Sequence, residues 1–147
     1  PREYSHLPQL AADGRGTVHL VWLETRGGQV TPRRILHATS ADGRRWSAAA
    51  DVTPAASDGQ ILYSPRLAAD GRGGMLLLFT RVGDGGVGRP THWQMRLRGG
   101  RWSPAAQMFA GLGHSDSELE TAGGADGALW ALWKSGDGVY YAARTRP

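Results

Sequence analysis

The stretch Leu7-Pro8-Gln9-Leu10-Ala11-Ala12-Asp13-Gly14-Arg15-Gly16 returns 57 residues later as Ser64-Pro65-Arg66-Leu67-Ala68-Ala69-Asp70-Gly71-Arg72-Gly73, with eight of the ten positions identical. In each copy a short strand runs into Asp-Gly-Arg-Gly, a tight turn in which glycine takes positive φ without steric cost. Self-similarity at a period of about 50 residues marks propellers, solenoids and arrays.

Outward from that echo the two units keep one order. The first predicts strands at 7–11, 17–23 and 34–39, then the turn Ser40-Ala41-Asp42-Gly43 and a fourth strand starting at Trp46. The second predicts strands at 65–68, 74–80 and 92–97, with Gly99-Gly100 turning into Trp102, and Phe79 falls where Trp22 fell. A looser third unit predicts strands at 117–119, 128–133 and 138–143 and stops at Pro147, where its fourth strand is due. No stretch has helical periodicity. Four short strands per unit, joined by Gly/Asp turns, imply an all-β fold, a β-propeller built of four-stranded antiparallel blades. Blade 1 covers about 6–62, blade 2 about 63–113 and an incomplete blade 3 about 114–147. Closed propellers have roughly four to eight blades. About three blades therefore read as half of a roughly six-bladed ring, to be closed by a second copy or by the remainder of a longer protein.

The 147 residues carry Lys+Arg 17 against Asp+Glu 13, a net charge of +4. Lys134 is the sole lysine and asparagine is absent, a bias that a GC-rich coding background produces. The arginines are scattered between strands and turns, so no nucleic-acid partner is expected. The absence of cysteine excludes disulfides and thiolate metal sites. His6, His37, His92 and His114 lack metal-ligand spacing, and His19, inside an apolar strand, reads as a satisfied buried histidine. No metal or cofactor is expected. No apolar run approaches the ~20 residues of a membrane span. A periplasmic or secreted setting is favoured over a cytoplasmic one.

The turn Ser40-Ala41-Asp42-Gly43-Arg44-Arg45-Trp46 resembles the Asp-box of sialidase-like (BNR) β-propellers in its Ser-x-Asp-Gly-x-x-Trp form. Ser40 and Asp42 are expected to accept backbone N–H bonds, Gly43 to take the awkward dihedrals and Trp46 to pack between blades. The resemblance covers the chain from about His6 to Trp102, more loosely to the end. The second unit keeps the glycine and tryptophan of the box (Gly99-Gly100-Arg101-Trp102) and loses the serine and aspartate. Asp-boxes sit away from the propeller axis and imply fold more than activity. A sialidase of this family requires three arginines on the substrate carboxylate, an aspartate acid/base and a tyrosine activated by a glutamate. Arg66, Glu118, Glu120 and the Tyr140-Tyr141 pair are the available groups, and none stands in a catalytic motif.

Positions that repeat hold the fold, and positions that differ are free to serve function. Trp22, Trp46, Trp102 and Trp133 recur and read as core, whereas Trp93 and Trp130 do not recur and are candidates for ligand stacking. Gln9, Arg66 and Glu118 occupy one variable position, with His6, Tyr63 and Ser115 just before it. In a propeller these line the central channel, a polar funnel at the axial mouth where a ligand binds. The expected function is non-catalytic binding of a glycan or protein partner at that face. The alternative is part of an exo-sialidase-type glycoside hydrolase whose other residues lie outside this chain.

Overall fold

A computed structural model describes residues 4–25, 27, 31–57, 59–83, 88–108, 119–124, 126–134 and 138–145. The fold is all-β, with a single 3-10 turn at Ala55–Ser57. No helix among the described residues is long and apolar enough to cross a membrane. Each repeat unit forms its own antiparallel meander. The first sheet runs β1 (Ser5–Ala12), β2 (Val18–Thr25), β3 (Pro32–Ser40), β4 (Ala50–Asp51). The second runs β5 (Ile61–Ala69), β6 (Met75–Val82), β7 (Thr91–Arg98), whose far edge pairs with β8 (Arg101–Trp102) and β9 (Ala106–Gln107). The third runs β10 (Leu119–Gly123), β11 (Leu129–Lys134), β12 (Tyr140–Thr145). Strand β1 packs against β5, and β5 against β10, so the first strands of the three sheets lie side by side.

The middle sheet is covered on both faces, and β6 shows why. All its residues are buried. Successive side chains of a strand point to opposite faces. Met75, Leu77 and Phe79 accordingly enter one core with Val21, Leu23 and Ile35 of the first sheet. Leu76 and Leu78 enter another with Leu119, Leu129, Ala131 and Trp133 of the third. Each fully buried leucine or phenylalanine contributes about 1.5–3 kcal/mol. The outer sheets have only one face covered. Leu10 is 62% exposed on the open face of the first, and Trp130 and Leu132 are 44% and 40% exposed on that of the third.

Two expectations are corrected. The fourth strands do not begin at the tryptophans alone: β4 starts at Ala50, and the fourth strand of the middle sheet is split into β8 and β9. Trp46 is exposed, not packed, because it follows a turn on the open side of the first sheet. Trp22 is half-buried for the same reason, while Phe79, its counterpart in the middle sheet, is fully buried. Trp102 and Trp133 pack as expected.

The repeated turns press on one another. A Cβ on Gly14 would lie 1.8 Å from the carbonyl oxygen of Gly71, although the φ of Gly14 is not of the positive kind. The first two sheets thus meet through backbone at this point. Gly14→Ala is expected to destabilise the chain by about 1–3 kcal/mol, as overpacking does, seen as a lowered melting temperature. An unchanged melting temperature would show that the turns do not touch.

Candidate functional site

The variable position lies on the first strands, next to a bulge. Pairing slips between His6 and Gln9 in β1 and between Tyr63 and Arg66 in β5. The bulged dipeptides are Leu7-Pro8 and Ser64-Pro65, and Leu7 (φ 50) and Ser64 (φ 47) both sit in the left-handed region. That region disfavours residues with a side chain, and a following proline disfavours it further. The same strain at the same place, on different residues, belongs to the strand geometry. Bulges of this kind re-aim side chains.

Register identifies the equivalent residues. Gln9 faces Val21, Arg66 faces Leu78 and Glu120 faces Leu132, at one spacing. His6 and Tyr63 also match, facing Leu23 and Thr80. Glu118 and Ser115 lie outside the described residues, and the register assigns the third variable position to Glu120. The third unit lacks the proline and the Asp-Gly-Arg-Gly turn that align the first two, so the sequence alone carried no marker of the shift.

Arg66 and Glu120 are brought together across the gap between β5 and β10. Nε and Nη2 of Arg66 donate to Oε2 and Oε1 of Glu120, each at 3.0 Å. Nη1 donates to the Pro65 carbonyl at 3.0 Å. The arginine fork is therefore closed, while the Glu120 side chain remains 62% exposed. Gln9 donates to the Pro8 carbonyl, and among the described residues no hydrogen bond joins Gln9, His6 or Tyr63 to the Arg66–Glu120 pair. Of the candidate platforms, Trp93 is covered by the Arg81 guanidinium at 4.1 Å, whereas Trp130 stays open with Arg144 at 5.9 Å. Tyr140 is exposed beside Lys134.

The turn from Ser40 to Arg45 makes the backbone hydrogen bonds its residues imply. Ser40 Oγ accepts from the Gly43 N–H at 2.9 Å, and Asp42 Oδ1 accepts from the Arg44 and Arg45 N–H groups at 2.8 Å. The N–H groups of Arg45 and Arg44 hold the Asp42 carboxyl below its ordinary pKa. These roles are structural.

A polar seam absent from the sequence reading joins the first two sheets. Trp102 Nε1 donates to His37 Nδ1 at 3.3 Å, and His37 Nε2 lies 3.0 Å from His19 Nδ1. Indole nitrogen is only a donor. His37 therefore accepts at Nδ1, carries its proton on Nε2 and donates it to His19. The remaining His19 proton points toward Asp13, 3.8 Å away. The donors run one way, Trp102 to His37 to His19, only with both rings neutral, and the His19 Nε2–H faces Asp13 beyond hydrogen-bond distance. Burial, then the neighbouring His19, pushes His37 down to about 4, and burial lowers His19 against the pull of Asp13.

The Asp-Gly-Arg-Gly turns gather arginines that sequence reading took as scattered. Arg15, Arg72 and Arg98 line one open groove of about 530 Å³ together with Asp13, Asp70 and His19. No group of three or more His, Cys, Asp or Glu suited to a metal is present among the described residues. No protein-family model matches the chain, and no curated protein matches it.

The histidine seam has a pH signature. An unfolded histidine takes up a proton near 6.5, whereas these two resist it in the fold. Stability is therefore full above pH 6.5 and is lost as pH falls toward about 4. The His37 share reaches about 3 kcal/mol. Melting temperature should drop between pH 7.5 and 4.5, and His37→Leu should flatten that dependence. Equal slopes for the two proteins would refute the neutral seam.

Proposed function

We propose that the three sheets are blades of a sialidase-like β-propeller and that the completed ring binds a glycan, without catalysis, at the mouth lined by its first strands. Support for blades comes from the side-by-side first strands and from the middle sheet packed on both faces. The open faces add to it. Leu10, Leu20 and Trp22 stand where the middle sheet presents Leu67, Leu77 and Phe79, and Trp130 and Leu132 stand where it presents Leu76 and Leu78. Each open face thus repeats the positions of a mated one. The missing blades come from a second copy or from more of the same protein.

The observation that carries the binding reading is the Arg66–Glu120 pair. A free arginine fork at the mouth would grip a carboxylate, as a sialidase requires. Here the fork is already filled, and the pair presents exposed carboxylate acceptors beside guanidinium N–H groups. Such mixed polarity suits the hydroxyls of a neutral sugar, and Gln9 on the adjoining strand extends it.

Three measurements test this. On a glycan array, the protein should bind neutral glycans, and Arg66→Ala or Glu120→Gln should weaken binding about tenfold, the loss expected for one charge-assisted hydrogen bond. Release of 4-methylumbelliferone from its sialoside would overturn the non-catalytic reading in favour of the hydrolase. Light scattering should give this chain a mass near twice 15.7 kDa if a second copy closes the ring. A monodisperse monomer would refute completion by self-association.

A further inference from the structure

We propose that the turn end of the first two sheets is a second binding site, independent of the first-strand mouth, for an acidic polysaccharide bearing sulfate or carboxylate groups. The turn acids bond to backbone. Asp13 Oδ1 accepts from the N–H groups of Arg15 and Thr17, Asp70 Oδ1 from those of Arg72 and Gly74, and Asp42 Oδ1 from those of Arg44 and Arg45. Each carboxylate is turned onto its own backbone. The arginines beside them are left facing outward.

Among the described residues, the side chains of Arg15, Arg44, Arg45, Arg98 and Arg101 make no ion pair or hydrogen bond. Arg72 spends one N–H on the Asp126 carbonyl at 3.3 Å. Arginines elsewhere are engaged: Arg34 by Glu24 and Asp51, Arg66 by Glu120, Arg81 by Gln60. The contrast marks the turn end as a reserve of open guanidinium forks, the geometry that takes carboxylate or sulfate oxygens two at a time.

Placement is set by stacking of the turns. A Cβ on Gly73 would lie 3.3 Å from Arg15 Nε, so the guanidinium of one turn lies over the glycine of the next. Arg72 lies likewise over Gly127. Arg98 joins them from the β7–β8 hairpin, directly opposite Arg101. The groove between is floored by Gly73, Gly74, Gly99 and Gly100, and the one ring among its lining residues is the buried His19, already stacked on His37.

These features favour a sugar chain over nucleic acid. Single strands are held by stacking on exposed aromatic rings, and the one ring here, His19, is buried against His37. Duplex sites bury on the order of 1,000 Å² or more, whereas about 530 Å³ is a volume for a small ligand or one segment of a chain. Flat glycine backbone lets a pyranose ring approach closely while its acid groups reach the forks.

Fluorescein-labelled heparin, a sulfated polyuronate, is the probe, followed by anisotropy across a salt series. The unmodified chain should bind it with an affinity that falls as salt rises. The double variant Arg15→Gln/Arg98→Gln should bind about tenfold or more weakly. Arg89→Gln removes an exposed arginine before β7, at the opposite end of the sheet. It costs the same charge per residue and should leave binding within about twofold. If the double variant fails to melt cooperatively, Arg101→Gln replaces it, since that side chain holds nothing in the fold. Equal losses for Arg89→Gln and Arg101→Gln would reduce the effect to net charge and overturn the site. So would no binding to heparin, or tighter binding of a labelled oligonucleotide of matched charge.

Discussion

The structure depends on burying both sides of one strand. Met75 to Val82 is an unbroken buried run, and a strand that is apolar on both faces needs a sheet against each of them. That requirement recruits the first sheet to Met75, Leu77 and Phe79 and the third to Leu76 and Leu78. Three sheets are thus the smallest number that satisfies one of them. The same rule is unmet for the outer two, whose second strands are nearly as apolar but keep an open face. The open apolar faces of the outer sheets carry the middle sheet's own requirement, passed outward.

The turn that reveals the repeat also sets its spacing. Gly14 meets the Gly71 carbonyl, and Gly123 meets that of Ala69, too closely for any side chain. Arginine then covers the glycine of the following turn, twice in succession. At the third turn Asp126 stands at the arginine position and pairs instead with Arg144 at 2.6 Å. Backbone contact and guanidinium cover make a ladder between sheets, with the hydrophobic cores behind it and the histidine seam beside it. The seam shows how strictly polar groups are handled there: the hydrogen bonds of Trp102, His37 and His19 can run in one direction only, and a proton on His37 would set one N–H against another.

Much of this was legible in the chain. The all-β class, the three units and the structural work of Ser40 and Asp42 follow from local turn chemistry and strand periodicity, which neighbours reinforce. Trp46 misled because a recurring tryptophan reads as core, yet among the described residues no sheet covers the face it stands on, whereas Trp102 has the first sheet against it. Glu120 stands among the acids the sequence offers, but Leu119 to Gly123 carries no proline or aspartate turn to count from, so only hydrogen-bond register could align it with Gln9 and Arg66. The Trp102–His37–His19 seam joins residues far apart in sequence and outside the repeat, and no spacing announces it. The arginine end is different, since its signal was present. Arg15 and Arg72 hold identical places in identical turns, and identical turns of adjacent sheets must stack.

That point bears on how compositional bias becomes function. An arginine-rich chain places guanidinium groups at both ends of its strands. Where the nearby acids are Glu24, Asp51 or Glu120, long or free enough to reach across, the charge is cancelled in pairs. Where the nearby acids are turn aspartates, their oxygens already hold backbone N–H groups at 2.8–2.9 Å, and burial of Asp13 does not outweigh the Thr17 and Arg15 amides that hold its pKa low. Only the second oxygen of such a carboxylate is open to an arginine, as at Asp126, which holds the Ala128 N–H with Oδ1 and Arg144 with Oδ2. The fold thereby separates charge along the strand axis without any excess of arginine at one end being written into the composition. The turns of the first two sheets keep open forks at Arg15 and Arg98, while ion pairs hold Arg34 and Arg66 farther along the strands and Arg144 at the third turn.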